Sequence, residues 1–261
     1  MTLWEAIVLG VVQGATEFLP VSSSGHLVMA QEVLDVHLAG VLFEVTVHVA
    51  TLASIALVYR ERLAGLVRGV LARDAEALSY VGLLALATVP AGLLGVLAQD
   101  RIEALFENPY APGVALLVTG VLLWSSRAAL ARAGDARPTW RAALLIGVAQ
   151  AFALVPGISR SGSTVVAALW LGMEAREAAA FSFLMALPAI GGAAVLQIPE
   201  LTSATGVPWT ALLAGGVAAA VTGVLAIRTF VAMLGRKAFH WFAPYCWVVG
   251  LAFLAWLSIG R

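Results

Sequence analysis

One polar string occurs twice in an otherwise apolar chain, and that duplication restricts the fold more than any other feature. Gln13-Gly-Ala-Thr-Glu-Phe-Leu-Pro-Val-Ser-Ser-Ser-Gly-His26 is answered much later by Gln150-Ala-Phe-Ala-Leu-Val-Pro-Gly-Ile-Ser-Arg-Ser-Gly-Ser-Thr164. The spacing from Gln13 to Ser22 equals that from Gln150 to Ser159, and Gly10-Val-Val-Gln is matched by Gly147-Val-Ala-Gln. Each string ends in Pro followed by a Ser/Gly cluster that opens a second apolar run. The chain therefore reads as two copies of one unit, each carrying half of a site.

The solvent for these units follows from composition. Hydrophobic residues make up 61% of the chain and charged residues 11%, well outside the ranges of a soluble domain. The expectation is an integral membrane protein. No positively charged stretch precedes the first apolar run, whose early charge is Glu5 alone, so the start does not read as a cleaved signal peptide. The single cysteine, Cys246, excludes an intramolecular disulfide and a cysteine metal cluster, and reads as a packing residue. A net charge of zero offers no basic surface for nucleic acid, so no nucleic-acid partner is expected.

Six apolar runs are long enough to cross a bilayer at about 20 residues per helix: 40 to 59, 77 to 98, 111 to 127, 178 to 197, 209 to 230 and 241 to 258. Regions 1 to 37 and 142 to 173 are apolar at both ends but broken centrally by Pro, Gly, Ser and ionisable residues. They predict re-entrant helix pairs, because such backbone survives at depth only when buried in protein or facing a wet cavity. The expected fold is an all-α polytopic membrane protein, with six transmembrane helices and two re-entrant pairs. It forms a single membrane domain over 1 to 261, with one repeat over about 1 to 130 and the other over about 140 to 261.

Arginine placement supplies an orientation. Arg60, Arg62, Arg68 and Arg73 follow the first run, Arg127, Arg132, Arg137 and Arg141 the third, and Arg228, Arg236 and Lys237 the fifth. Those loops are expected in the cytoplasm. The loops around 99 to 110 and 198 to 208 carry Arg101 against Asp100, Glu103, Glu107 and Glu200, which suits the outside. Both termini then fall outside, and the two re-entrant pairs enter from opposite faces. The repeats are thus expected to be inverted, with a site near the midplane where the broken helices meet.

The residues gathered there suggest a chemistry. Ser22-Ser-Ser-Gly25 and Ser159-Arg-Ser-Gly162 follow prolines and should start helices, presenting hydroxyls and free N–H groups suited to an anion. Arg160 can grip phosphate oxygens in a bidentate fork. Glu17, four residues after Gln13, shares its helix face, and together they could hold Mg²⁺ or Ca²⁺ with water and phosphate oxygens. His26 lies three residues past Ser23, so the two could act as proton carrier and nucleophile. Glu17, His26 and Arg160 are costly at membrane depth and read as functional on that ground. Ser-rich helix starts also serve as plain caps and packing sites, so the serines taken singly argue less. Glu44 and His48, four apart, read either as a polar pair lining the site or as a mutually satisfied structural pair. Gly191-Gly192 and Gly215-Gly216 suggest close helix contacts, and Trp4, Trp140, Trp209, Trp241 and Trp256 interfacial anchors.

Glu17-Phe-Leu-Pro-Val-Ser-Ser-Ser-Gly-His26 with its upstream Gln13, together with Pro156-Gly-Ile-Ser-Arg-Ser-Gly-Ser-Thr164, resembles the paired signature of the bacterial undecaprenyl pyrophosphate phosphatases of the bacitracin-resistance type. The likeness runs over essentially the whole chain, with both motifs in order. It implies removal of the terminal phosphate from undecaprenyl pyrophosphate, which recycles the carrier lipid for cell-wall synthesis, in the bacterial cytoplasmic membrane with a site facing outward. By position it implies Glu17 as the acidic residue of metal binding and catalysis, Ser23 as nucleophile, His26 as the essential histidine and Arg160 as the pyrophosphate-binding arginine. Ser22, Ser24, Ser159, Ser161 and Thr164 fall on hydroxyl positions that could donate to phosphate. Gln13 stands where some members carry a second Glu, so a metal held by two carboxylates does not carry over.

The sequence leaves the nucleophile open between Ser23, His26 and water. It also leaves a rival function: inverted repeats with broken helices are typical of secondary transporters, so a transporter or flippase of anionic polyprenyl lipids fits the same architecture. The expected partners are a polyprenyl pyrophosphate lipid and the membrane, with a homodimer allowed but not specified.

Overall fold

The computed structural model describes residues 1–36, 41–198 and 207–259. Among them there are twelve α-helices, a 3-10 turn at Phe239–Trp241 and no strand. The helices are α1 (Leu3–Phe18), α2 (Ser23–Leu34), α3 (Leu42–Val58), α4 (Arg60–Leu71), α5 (Ala75–Leu97), α6 (Gln99–Glu107) and α7 (Tyr110–Arg132). They continue with α8 (Trp140–Phe152), α9 (Arg160–Trp170), α10 (Ala175–Leu196), α11 (Trp209–Gly235) and α12 (Phe242–Ile259). All six apolar runs are helical. Five segments, α5, α7, α10, α11 and Phe239–Ile259, are each long and apolar enough to cross a membrane. α3 and α4 pass the same test only together, with an 83° bend between them, giving up to six spans.

The helix pairs expected in the two broken regions are α1–α2 and α8–α9. α1 has 16 residues and α9 has 11, so they reach about 24 and 17 Å at 1.5 Å per residue, short of a bilayer core of about 30 Å. Local chemistry sets their ends. Thr2 caps α1 in a reciprocal box with Glu5, accepting from the Glu5 N–H at 3.3 Å while Glu5 accepts from the Thr2 N–H at 2.8 Å.

Two stretches expected as loops are helices instead. α4 and α6 have no buried residue. Leu63, Leu66, Val67 and Val70 in α4, and Ile102, Leu105 and Phe106 in α6, recur at helical spacing between charged residues. These are amphipathic surface helices, whose mixed composition hides them from a search for long apolar runs. The expected outside loop at 198 to 208 lies almost wholly outside the described residues.

Packing exchanges elements between the two halves of the chain. α1 lies along α11, and α8 lies along α5; α3 packs on α11 and α10 on α5. Glycines allow backbone-to-backbone approach at both seams. A Cβ on Gly10 would fall on the Gly215 carbonyl, and one on Gly147 would fall on the Ala87 carbonyl. The expected close contact at Gly215 is present, whereas Gly191 and Gly192 face open space among the described residues, so that expectation is corrected. Their spacing on α10 simply points them away from every described neighbour.

A column of buried rings runs through the centre. Phe18 meets Phe183 edge-on at 5.5 Å, Phe183 meets Phe230 at 4.9 Å, and Phe230 meets Phe239 at 4.9 Å. Cys246 is fully buried and free, as a packing residue should be. Trp4, Trp140, Trp209, Trp241 and Trp256 are all exposed, as interfacial anchors would be.

Candidate active site

The two Ser-rich loops are tied to each other before any catalytic group is considered. α1 ends at Phe18 because Pro20 forces the preceding residue out of helical geometry. Ser22 then caps α2 at a left-handed φ of 69°, with its Oγ accepting from the Gly25 N–H at 3.4 Å and from the Gly157 N–H of the second loop at 3.2 Å. Gly157 sits at φ +99°, where an L side chain is strained, and a Cβ there would strike the Pro112 carbonyl. Thr119 of α7 pins this loop from behind, donating to the Gly157 carbonyl at 2.8 Å and accepting from the Ser159 N–H at 3.1 Å. Ser159 caps α9 by accepting from the Gly162 N–H at 3.1 Å, and Ser161 donates to the Leu19 carbonyl at 3.3 Å. Both helix starts expected from sequence are therefore present, and their N-termini are held side by side.

Glu17 is the hub. Its side chain, in the last turn of α1, is almost fully buried. Oε1 accepts from Arg160 Nη2 at 2.6 Å, while Oε2 accepts from Gln13 Nε2 at 2.9 Å and from Ser23 Oγ at 2.5 Å. Arg160 also donates from Nη1 to the Ser182 carbonyl of α10 at 3.4 Å. One carboxylate thus joins three of the sequence candidates, and its ion pair closes the gap between residues 17 and 160. Removing either partner of so buried a pair leaves an uncompensated charge.

His26 takes another direction. Its Nδ1 lies 2.9 Å from the Ser22 carbonyl, which can only accept, so Nδ1 carries the proton and Nε2 accepts from Tyr245 Oη at 2.9 Å. The His26 and Tyr245 rings also stack at 5.7 Å. His26 therefore makes no hydrogen bond to Ser23, whose hydroxyl donates to Glu17. Nor do Glu44 and His48 form a side-chain pair. Glu44 accepts from Gln31 Nε2 at 3.0 Å, and His48 gives its Nδ1–H to the Glu44 backbone carbonyl at 2.8 Å. His48 instead aims Nε2 at Glu17 Oε2 from 3.8 Å.

The remaining hydroxyls are engaged within the protein. Thr164 donates to the Arg160 carbonyl at 2.8 Å and pairs with Ser182 Oγ at 2.6 Å. Ser159 pairs with Ser161 at 3.3 Å, and Ser22 with Ser24 at 3.3 Å. Of Ser22, Ser24, Ser159, Ser161 and Thr164, only Ser24 is more than slightly exposed. Sequence reading missed Tyr245, Thr119 and Ser182, which are isolated polar residues in long apolar helices with no local pattern to mark them.

The donor set can be tested against a divalent cation. Gln13 Oε1 is buried and has no hydrogen-bond partner, so one oxygen beside the Glu17 carboxylate remains uncommitted. Among the described residues no group of three His, Cys, Asp or Glu side chains could hold a metal. Glu17 and Gln13 fit a hard cation as two oxygen ligands, with the rest of its shell left to water and phosphate oxygens.

Fold and site together define an all-helical, multi-pass membrane protein with a buried Glu–Arg–Ser centre assembled from two widely separated loops. The chain belongs to the bacitracin resistance protein BacA family, whose model matches residues 6–252. It is similar over nearly its whole length to proteins named undecaprenyl-diphosphatase. One from Desulfatibacillum aliphaticivorans is 38% identical, covering 96% of this chain and 97% of the relative. Another, from Alcanivorax borkumensis, is 40% identical over 99% of this chain and 100% of the relative. A third, from Carboxydothermus hydrogenoformans, is 34% identical with both chains fully covered.

Proposed function

We propose that this chain is an undecaprenyl-diphosphatase of the bacterial cytoplasmic membrane, releasing inorganic phosphate from undecaprenyl pyrophosphate and returning the monophosphate carrier for cell-wall synthesis. Membership of the family and the names of the relatives support the reaction. The observation that carries the mechanism is the Glu17 carboxylate, bonded to Ser23 Oγ on one oxygen and to Arg160 on the other.

Ser23 Oγ attacks the terminal phosphorus while Glu17 Oε2 takes its proton; the P–O bond to the bridging oxygen breaks, and its electron pair leaves with the lipid monophosphate. Glu17 passes that proton to the departing lipid phosphate; water then attacks phosphoserine and loses a proton to Glu17 as the Ser23 Oγ–P bond breaks, and Glu17 returns that proton to Ser23 Oγ while inorganic phosphate leaves. Arg160 and the paired helix N-termini stabilise charge on the transferred group. Because Arg160 is clamped to Glu17, incoming pyrophosphate competes for the same guanidinium. Glu17 and Gln13 would hold Mg²⁺ or Ca²⁺, which when bound would offset phosphate charge. His26, held by Tyr245, fixes the start of α2 and acts through Ser22.

The chain is read as two inverted repeats, with α1–α2 and α8–α9 as re-entrant pairs, both termini outside and the site opening outward. The exchanged packing of α1 on α11 and α8 on α5, with Gly10 and Gly147 at equivalent seams, supports the repeat relation. Arginine placement supports the orientation.

The test is phosphate release from a polyprenyl pyrophosphate by detergent-purified protein, with and without a chelator. Glu17→Ala, Ser23→Ala and Arg160→Ala should each abolish turnover, and His26→Ala should retain part of it. Absence of turnover by well-folded wild type would reject the reading.

A further inference from the structure

At one end of the bundle, away from the Glu17 centre, two adjoining cavities of about 430 and 550 Å³ share Val58, Tyr59 and Arg228 in their walls. Arg60 lines the first, and Arg176 and Arg236 line the second. These four arginines converge from three places: the α3–α4 bend, the first turn of α10 and the end of α11. Of the acids beside them, Glu61 shares the wall of the first cavity, and Glu174 caps α10 by accepting from the Glu177 N–H at 2.9 Å. Glu177 is held by Arg62 in a two-bond fork at 2.8 and 2.5 Å and by Tyr80 at 3.0 Å, and Glu61 approaches only Arg60, at 4.0 Å. Among the described residues no carboxylate comes within ion-pair distance of Arg176, Arg228 or Arg236. Arg176 is notable because it sits in the first turn of α10, where the helix dipole disfavours a cation.

The walls between the arginines are apolar: Val58, Ile227, Val231 and Ala232. A cleft that is cationic at the rim and apolar inside matches an amphiphile with an anionic head better than a free ion. The cleft is also separate from the catalytic centre. Arg176 precedes Ser182, the Arg160 contact, by six residues, about 9 Å along α10. Between them Phe183 bridges Phe18, next to Glu17, and Tyr59 of the cleft, at 5.5 and 6.1 Å, and both phenylalanines are fully buried.

We infer that this cleft is a second, non-catalytic binding site for the phosphomonoester headgroup of a membrane lipid, whose three free oxygens and nearly double charge match the three unpaired arginines Arg176, Arg228 and Arg236 better than a diester does. The test uses the full-length protein in phosphatidylcholine nanodiscs and carries Arg160→Ala, so that binding is read without the catalytic guanidinium and without turnover. A failure of the hydrolytic reading therefore leaves this result unaffected. Phosphatidic acid is the monoester probe, phosphatidylglycerol the diester control and inorganic phosphate the soluble competitor, with lipid retention followed by native mass spectrometry.

Saturable retention of phosphatidic acid over phosphatidylglycerol is expected. It should weaken roughly tenfold or more in Arg228→Gln/Arg236→Gln, and by a smaller factor in Arg228→Lys, which keeps charge but loses the fork. The Gln double variant should keep the Tm of its parent in detergent, which reports its folding; if it does not fold, Arg228→Lys and Arg176→Gln decide. Equal retention of the two lipids, retention unaffected by these substitutions, or displacement by millimolar inorganic phosphate would each overturn the inference.

Discussion

Glu17 is asked to do three things at once: accept from Ser23, counter Arg160 and hold Gln13. Glu17→Gln keeps its size but removes both the charge and the acceptor for the serine proton. Turnover should fall by about 10²- to 10⁴-fold, and thermal stability should also drop because Arg160 loses its counterion. Arg160→Lys separates the two roles: it keeps the charge but loses the fork, so steady-state kinetics should show KM raised more than kcat is lowered. Ser22→Ala removes an acceptor shared by Gly25 and Gly157, and should cost about 1–2 kcal/mol in denaturant unfolding. Glu17, Arg160 and Ser23 were legible because ionisable and hydroxyl residues stand out against apolar sequence. What each side chain bonds was not, since Ser23 has both Glu17 and His26 near it in sequence and only the turn at Pro20 decides between them. Tyr245 had no signature at all, being 219 residues from His26.

At the level of elements, the seams between helices depend on missing side chains. Gly147→Leu would drive a branched side chain into the Ala87 carbonyl and the Pro90 ring, parting α8 from α5. Overpacking of this kind costs about 1–3 kcal/mol or more, so its Tm in detergent should fall by several degrees. Gly92→Leu, on α5 itself, has nothing within 4 Å and should leave the Tm unchanged or slightly raised. Helix positions were largely readable, because uninterrupted apolar runs and the Pro–Ser punctuation mark them directly. α4 and α6 were not, because their alternating charged and apolar faces average out over a span-length window. The glycine contacts were readable only in part: Gly215 and Gly191 look alike in sequence, and only the neighbouring helix tells them apart.

For the molecule as a whole, the arginine-based orientation makes a direct prediction. In a Cys246→Ser background, cysteine at Asp135 should react with an impermeant thiol reagent only from the cytoplasmic face, and cysteine at Asn108 only from the outside; the reverse pattern would invert the proposed topology. The duplication itself was plain from two matching strings. Their exchange of packing partners was not, because it depends on contacts between helices distant in sequence, α1 with α11 above all. That exchange bears on how the protein is made. α1 leaves the ribosome first, yet its partner α11 begins at Trp209, so at about 5–20 residues per second roughly 10–40 s separate the two. Arg160, 143 residues after Glu17, arrives before α11 does, so until then Glu17 has neither its helix seam nor its counterion, and the newborn chain must shelter a carboxylate in the bilayer or at its edge.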